Sequence, residues 1–299
     1  MSPLKRALEI ITALCVYILC LPIAFLPLSI AYKIGGFAGR VVFFLWRSRR
    51  KVAINNIRLV QEKGYLTGYK PQGLALRVFE NLGRSAVEVI KIYYGLGDRI
   101  VKDVRFQGLE NYYRVREKGR PVIFITGHCG NWELLALATS YRIGKIYVIA
   151  RRQNNPYLNG MIERARTRYD NEVIYKRDGI RKVLKALNTG YPVGILMDQS
   201  VVPSEGVLVE FLGNEAWTLK SPVIIAKKTG AALLPAFIRR KDNSHLVTIY
   251  PEVELSQEKT EDALIRDVQR LNSFFEDYIT ENPSEWLWIH RRWKKRKTR

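Results

Sequence analysis

His128 is the residue of this sequence best placed to act as a base. It lies in a turn bracketed by Gly127 and Gly130 and follows the apolar, β-branched run 121–126. That run predicts a buried parallel strand, and the apolar stretch 134–138 predicts a helix. Open α/β sheets bind their ligands at the carboxyl ends of strands. We therefore predict that His128 lies in a functional site.

Glu133 is the predicted partner of His128. On one continuous helix the two side chains would be about 140° apart, so they meet only if His128 is in the turn and Glu133 in the first helical turn. A carboxylate bonded to one ring nitrogen fixes the tautomer and makes the other nitrogen more basic. Such a pair can take a proton from a hydroxyl group. The alternative is a structural histidine beside a helix whose dipole Glu133 complements.

Two other kinds of chemistry are less well supported. Cys129 could be a thiol nucleophile, but adjacent side chains usually diverge, and a small buried cysteine is the commoner explanation. The three histidines, His128, His245 and His290, are not spaced from one another or from a cysteine as metal ligands are. We therefore expect no metal site and no cofactor.

Two further sets of polar residues are candidates. Arg164, Arg166 and Arg168 alternate along a predicted helix, where residues two apart do not share a face. At most one or two of them can reach a site, and the alternative is a solvated basic face. Asp198 ends an apolar strand and precedes a loop, which is a favoured position for a site residue. Its alternative role is to cap a turn or helix.

Composition limits the class of protein. The chain has 299 residues, of which 47% are hydrophobic, so it can build a sizeable core in one or two domains. Its formal net charge of +21 favours anionic partners such as nucleic acid, acidic phospholipid or a phosphorylated substrate. The three cysteines do not suggest a disulfide framework, which fits a reducing, cytoplasm-facing compartment.

Both ends of the chain suggest contact with a membrane. Residues 10–32 carry no charge and are long enough to cross a bilayer, with a kink expected at Pro22 or Pro27. A cleaved signal peptide is the alternative. The basic residues in 33–51 suit anionic headgroups. Near the other end, Trp286, Trp288 and Trp293 together with the basic tail 291–299 are typical of a membrane interface or of a nucleic-acid patch.

The remaining pattern predicts an α/β fold: a mainly parallel or mixed central sheet flanked by helices, with an N-terminal membrane-anchoring helix. Predicted strands cover 121–126, 146–150, 171–175, 192–197, 232–238 and 246–251. Predicted helices cover 51–61, 72–94, 132–141, 156–169, 179–188, 217–229 and 261–279. Residues 200–216 are predicted to form an irregular active-site loop. The predicted regions are a membrane anchor (1–32), a helical membrane-proximal region (33–100) and a catalytic domain with a basic C-terminal tail (101–299).

Several motifs together resemble a known family. H-x4-E in a strand–turn–helix setting is similar to the glycerolipid-type acyltransferase superfamily. Gly-His-Cys-Gly-Asn-Trp-Glu at 127–133 is closer to its lipid A branch, the lauroyl/myristoyl acyltransferases of Gram-negative bacteria. Matching motifs continue along the chain at Arg151…Asn155-Pro156, Met197-Asp198-Gln199, Gly206-Val207…Phe211-Leu212-Gly213 and 283–293. Leu212 departs from the family's Phe, and the Phe-Pro-Glu-Gly-Thr motif of the glycerol-phosphate branch is absent.

The resemblance implies an O-acyltransferase of the bacterial inner membrane, with its catalytic domain facing the cytoplasm. The implied donor is acyl carrier protein, the acceptor is a lipid A precursor, and the other partner is an anionic membrane rather than nucleic acid. His128 and Glu133 would be catalytic, and backbone N–H groups near 127–130 would hold the oxyanion. Supporting or substrate-binding roles are implied for Arg166, Asp198, Arg151, Arg164, Asn131 and Gln199.

Two alternatives stay open at this point. Another acceptor of the same superfamily, a lysophospholipid or a phosphatidylinositol mannoside, fits the same motif. A non-enzymatic, membrane-tethered basic protein that binds nucleic acid or acidic lipid fits the charge and the apolar segment, and it would not depend on His128.

Overall fold

A central mixed sheet organises the molecule, which is a computed structural model that describes residues 3–175, 179–241 and 244–294. The strands in these residues are β1 Arg105–Gln107, β2 Val122–Thr126, β3 Tyr147–Ala150, β4 Glu172–Tyr175, β5 Val193–Leu196, β6 Gly206–Phe211, β7 Asn214–Leu219, β8 Ala232–Lys241 and β9 Ser244–Ile249. Seven of them form one sheet in the order β1-β9-β8-β2-β5-β3-β4. Neighbouring strands of this sheet run parallel to each other, except for the antiparallel pair β8 and β9. The predicted fold class is confirmed.

Helices precede, separate and follow these strands along the chain. They are α1 Pro3–Phe25, α2 Leu28–Leu45, α3 Arg47–Gln61, α4 Pro71–Tyr93, α5 Asp98–Lys102, α6 Leu109–Glu117, α7 Trp132–Ile143, α8 Pro156–Arg166, α9 Gly179–Asn188, α10 Ser221–Thr229 and α11 Glu261–Glu281. On β2, Ile123 and Ile125 face one hydrophobic cluster, while Val122 and Phe124 face another. Because both faces of this strand are buried, its sequence is continuously apolar rather than alternating.

The apolar N-terminal segment forms two helices instead of the single kinked helix expected over 10–32. The break falls at Pro27, which lacks the N–H that would continue α1. Leu4–Phe25 has a mean hydropathy of 2.3 and Leu28–Leu45 one of 1.4, so each is long and apolar enough to cross a membrane. Because α2 continues beyond residue 32, the expected anchor boundary falls inside a helix. The division into three regions remains a prediction.

Residues 206–219 form a β-hairpin, where an irregular loop and the start of a helix were expected. Leu212 and Gly213 make its turn with φ of 50° and 72°, the left-handed pair that suits two-residue hairpins. From Val207 onward, buried and exposed side chains alternate along β6, which is the period of two expected of a half-buried strand. The helix predicted over 217–229 begins later, at Ser221. The three-residue β1 was also not predicted.

Candidate active site

Two adjacent strand ends bring His128 and Asp198 together. β2 and β5 are parallel neighbours, and Thr126 is in register with Leu196. His128 and Asp198 each follow that register pair by two residues. The imidazole Nδ1 lies 2.9 Å from Asp198 Oδ1. A Cβ on Gly127 would lie 2.9 Å from Asp198 Cβ, so this close approach requires glycine.

Asp198 is a buried carboxylate with three hydrogen bonds. Besides the imidazole it accepts the His128 backbone N–H at 3.0 Å and the Trp286 indole N–H at 2.9 Å. Burial alone would raise the pKa of Asp198, but the charge and hydrogen bonds of His128 and the Trp286 bond lower it to about 2. The carboxylate is therefore ionised at neutral pH.

The Asp198 bond determines what His128 can do. An ionised carboxylate can only accept, so Nδ1 carries the proton and Nε2 keeps a lone pair. Burial would lower the pKa of His128, but the charge and hydrogen bond of Asp198 and the charge of Glu133 outweigh it and raise that pKa above its usual value. With 22% of its side chain exposed, the imidazole is accessible. It has the geometry of a general base.

Glu133 does not hydrogen-bond to the imidazole, contrary to the prediction from the H-x4-E spacing. Both of its oxygens accept from Arg166 at the end of α8, with distances of 2.7 Å from Nε and 2.5 Å from Nη2. The physical reason is that Asp198 already occupies Nδ1, while Arg166 offers a bidentate partner. The charge of Glu133 helps to raise the pKa of His128, and the opposite charge of Arg166 partly offsets this effect.

Of the other predicted residues, Gln199 and Asn131 lie at or near the site, whereas Arg151 and Arg164 do not contact it. Gln199 Nε2 lies 3.3 Å from His128 Nε2 and borders the site. Asn131 is buried at the start of α7, where its Oδ1 accepts the Leu134 N–H at 3.1 Å. Arg151 and Arg164 are exposed, and in the described part of the chain neither of them contacts His128 or Asp198.

The tryptophans near the C-terminus are part of the core, so the expected membrane interface is wrong for Trp286 and Trp288. They are 1% and 0% exposed. Arg292 is also fully buried and donates to Trp217 O at 2.7 Å and Thr218 Oγ1 at 2.5 Å. Of the predicted basic tail, residues 295–299 lie outside the described part of the chain.

Residues 285–287 pair with the turn 127–130, which carries His128. The Gly130 N–H donates to Glu285 O at 2.7 Å, and the Leu287 N–H donates to His128 O at 3.1 Å. Cys129 and Trp286 form the antiparallel bridge between these bonds. The sequence offered one signal for this contact, the match of 283–293 to the family's C-terminal motif. No local pattern indicates that these residues reach Asp198.

The same bonds correct the expected oxyanion site. The N–H groups of His128, Cys129 and Gly130 donate to Asp198, Gly127 O and Glu285 O, respectively. These three backbone donors are therefore already used within the turn. Gln199 Nε2 is a side-chain donor beside the imidazole instead.

Cys129 is placed as a core residue. Its side chain is buried, and burial raises the pKa of the thiol well above its usual value. A buried, protonated thiol is a poor nucleophile. Among the described residues, no three His, Cys, Asp or Glu side chains are grouped so that they could hold a metal ion.

The sequence profile of a family described as "Bacterial lipid A biosynthesis acyltransferase" matches residues 1–295. The chain belongs to this family. It is 24% identical to the lipid A biosynthesis lauroyltransferase of Escherichia coli over 91% of this chain and 87% of that protein. It is 23% identical to the lipid A biosynthesis myristoyltransferase of the same organism over 89% of this chain and 80% of that protein.

A comparison with solved structures finds the 1-acyl-sn-glycerophosphate acyltransferase of Thermotoga maritima. The match has a TM-score of 0.40 and 17% identity and covers 82% of this chain and 97% of that chain. Membership of the lipid A acyltransferase family makes this protein an acyltransferase, which disfavours the non-enzymatic alternative.

Proposed function

We propose that this acyltransferase moves a fatty acyl chain from an acyl carrier protein thioester to a hydroxyl group of a lipid A precursor, a late acylation in lipid A biosynthesis. The observation that carries the proposal is the His128–Asp198 pair, which holds an accessible Nε2 lone pair at the carboxyl edge of the sheet. The names of the related proteins support the acceptor. Resemblance to the lauroyl/myristoyl branch supports acyl carrier protein as the carrier of the donated acyl chain.

In the proposed reaction His128 Nε2 removes the proton of the acceptor hydroxyl as its oxygen attacks the thioester carbonyl. Asp198 stabilises the imidazolium that forms. The tetrahedral intermediate then collapses, the C–S bond breaks, and the imidazolium returns its proton to the carrier thiolate. An ester and a free carrier thiol result, and no covalent acyl-enzyme is needed.

Gln199 and Arg166 are the proposed binding groups around this reaction. Gln199 Nε2 lies next to the imidazole and would donate to the oxyanion. Arg166 has five N–H donors, of which Glu133 takes the Nε and Nη2 groups. Its remaining donors suit a phosphate of the glycolipid or of the carrier's prosthetic group.

An apolar cavity of about 400 Å³ is the proposed place for a fatty acyl chain. It is lined by Ile10, Ala13, Leu14, Tyr17, Tyr93, Pro156, Tyr157, Gly160 and Met161. Gly160 has no atom near the position of an added Cβ, so it faces open space. Along α8, Gly160 is roughly 9 Å from Arg166, which brings the cavity within reach of a chain attached at the site.

The proposed location is the bacterial inner membrane, with the catalytic domain facing the cytoplasm. The two apolar helices α1 and α2 support membrane attachment. The unpaired Cys15, Cys20 and Cys129 suit a reducing compartment. The net charge of +21 suits an anionic lipid surface and an acidic carrier protein.

Mass spectrometry of the lipid products tests the proposal. Purified full-length protein is given acyl carrier protein thioesters with a tetra-acylated lipid A precursor, a lysophospholipid or a phosphatidylinositol mannoside in separate reactions. We expect one added acyl chain on the lipid A precursor, and none with the His128→Ala variant. Acylation of only one of the other acceptors would replace the proposed substrate.

A further inference from the structure

Glu88 on α4 is fully buried and bonded on both of its oxygens. Oε1 accepts the Tyr32 hydroxyl at 2.5 Å and also a short bond from Arg240. His245 Nε2 lies 3.4 Å from the same oxygen. Oε2 accepts Asn131 Nδ2 at 2.7 Å. One carboxylate thus connects α2, α7 and two strands of the sheet.

Glu88 is held as an anion. Burial alone would raise its pKa, but the charge of Arg240 and the hydrogen bonds from Arg240 and Tyr32 keep that pKa below its usual value. The adjacent His245 is neutral at neutral pH, because burial lowers its pKa to about 4. An anion accepts hydrogen bonds on both oxygens and donates none. A glutamine in its place has only one accepting oxygen. It can accept from Tyr32 and Arg240 or from Asn131, but not from all three.

The Asn131 bond reaches the catalytic turn. Because Glu88 only accepts, it forces the NH₂ group of Asn131 toward itself and turns Oδ1 toward the Leu134 N–H, which Oδ1 caps at 3.1 Å. Asn131 lies three residues after His128 and two before Glu133. The orientation of one buried amide therefore fixes where α7 begins, and with it the position of Glu133.

The Tyr32 bond reaches the apolar helix α2, which lies in direct backbone contact with α4. A Cβ added to Gly35 would meet Gly83 O at 2.6 Å, and one added to Gly39 would meet Phe79 O at 2.1 Å. Gly35 and Gly39 form the G-x-x-x-G spacing that lets membrane helices pack closely. This close packing fixes how α2 is positioned along α4, and so keeps the Tyr32 hydroxyl within hydrogen-bonding distance of Glu88.

We propose that Glu88 is a positioning residue that links the seating of α2 on α4, through Tyr32, to the geometry of the catalytic turn, through Asn131. The inference rests on the proposed function of the His128 site. It makes the apolar helix α2 part of the catalytic apparatus as well as an anchor.

Kinetics of the full-length protein in lipid nanodiscs test the link, with Glu88→Gln and Tyr32→Phe as variants. Exposed residues supply matched controls, Glu110→Gln and Tyr141→Phe. We expect kcat to fall about tenfold or more in Glu88→Gln and roughly threefold in Tyr32→Phe, with KM changed less than about twofold. Because Tyr32→Phe acts through Glu88, the double variant should lose no more than Glu88→Gln alone.

Hydrogen exchange gives a readout that does not depend on activity. Tyr32→Phe should speed exchange of the first amides of α7, including Leu134, and leave α6 unchanged. The link would be overturned if the variants kept the wild-type kcat per folded molecule and only lost melting temperature. Unchanged hydrogen exchange in α7 of Tyr32→Phe would also overturn it. If Glu88→Gln fails to fold, Tyr32→Phe decides alone. Failure of the proposed function would show separately, as no acyl transfer by the wild-type protein, and the exchange experiment would still test the link.

Discussion

His128 Nδ1 and Asp198 Oδ1 lie 2.9 Å apart although 70 residues separate them in the chain. The register of β2 with β5 produces this contact, because each residue follows its strand by the same number of positions. Glu133, which is close to His128 in sequence, bonds to Arg166 instead. The orienting carboxylate of the proposed base is therefore Asp198, and Glu133 contributes from a greater distance.

Trp286→Phe is predicted to lower kcat by roughly tenfold or more. The change keeps an aromatic ring but removes the indole N–H that donates to Asp198 at 2.9 Å, and hydrogen bonds to charged groups contribute about 1.5–3 kcal/mol. Steady-state kinetics with a thermal melt of each variant measure the effect. Trp46→Phe, at an exposed tryptophan, is the control. Equal kinetics for the two variants would show that Trp286 only fills space.

Arg166→Lys is predicted to lower kcat/KM by at least about tenfold, because lysine cannot form the bidentate pair with Glu133. Arg164→Ala, two residues away and exposed, should cost only a few-fold. Kinetics with the same donor and acceptor give the ranking. A larger loss in Arg164→Ala would mean that the substrate reaches the other face of α8.

The sequence predicted the sheet and the position of His128 well because these depend on local patterns. A buried strand followed by a glycine-flanked turn and a helix is visible within about a dozen residues. The partner of His128 was predicted wrongly because it depends on strand register, which brings Asp198 next to the turn. Spacing alone favoured Glu133.

Trp286 was misjudged for a related reason. Tryptophan beside basic residues has the composition of a membrane interface. The contact of residues 285–287 with the turn 127–130 is a tertiary contact, and no local pattern indicates it. The Gly35-x-x-x-Gly39 spacing was a signal that could have been used. It predicts close helix packing, and the structure places both glycines against α4.

Gly160→Phe is predicted to shift the preferred acyl donor to a shorter chain. A phenyl group there would fill part of the apolar cavity, whose volume is about 400 Å³. Each excluded methylene would lose about 0.8 kcal/mol of burial. Relative kcat/KM over a series of saturated acyl carrier protein thioesters measures the shift. An equal loss at every chain length would place the transferred chain elsewhere.

The pH dependence of kcat/KM for the wild type and for Asp198→Asn tests the central claim most directly. A general base must be neutral, so activity rises with pH as His128 loses its proton. The raised pKa of His128 puts this rise above about pH 6.5 in the wild type. His290 does not interfere, because burial lowers its pKa to about 4.

Asp198→Asn removes the charge that raises the pKa of His128, so the rise should move to lower pH. The plateau should fall by roughly 10²–10⁴, because the imidazole loses its fixed tautomer. Glu133→Gln should move the rise in the same direction by less, since Glu133 affects the pKa of His128 through its charge and does not bond to the imidazole. The account would be contradicted if Asp198→Asn kept the wild-type plateau and its rise in activity stayed at the wild-type pH.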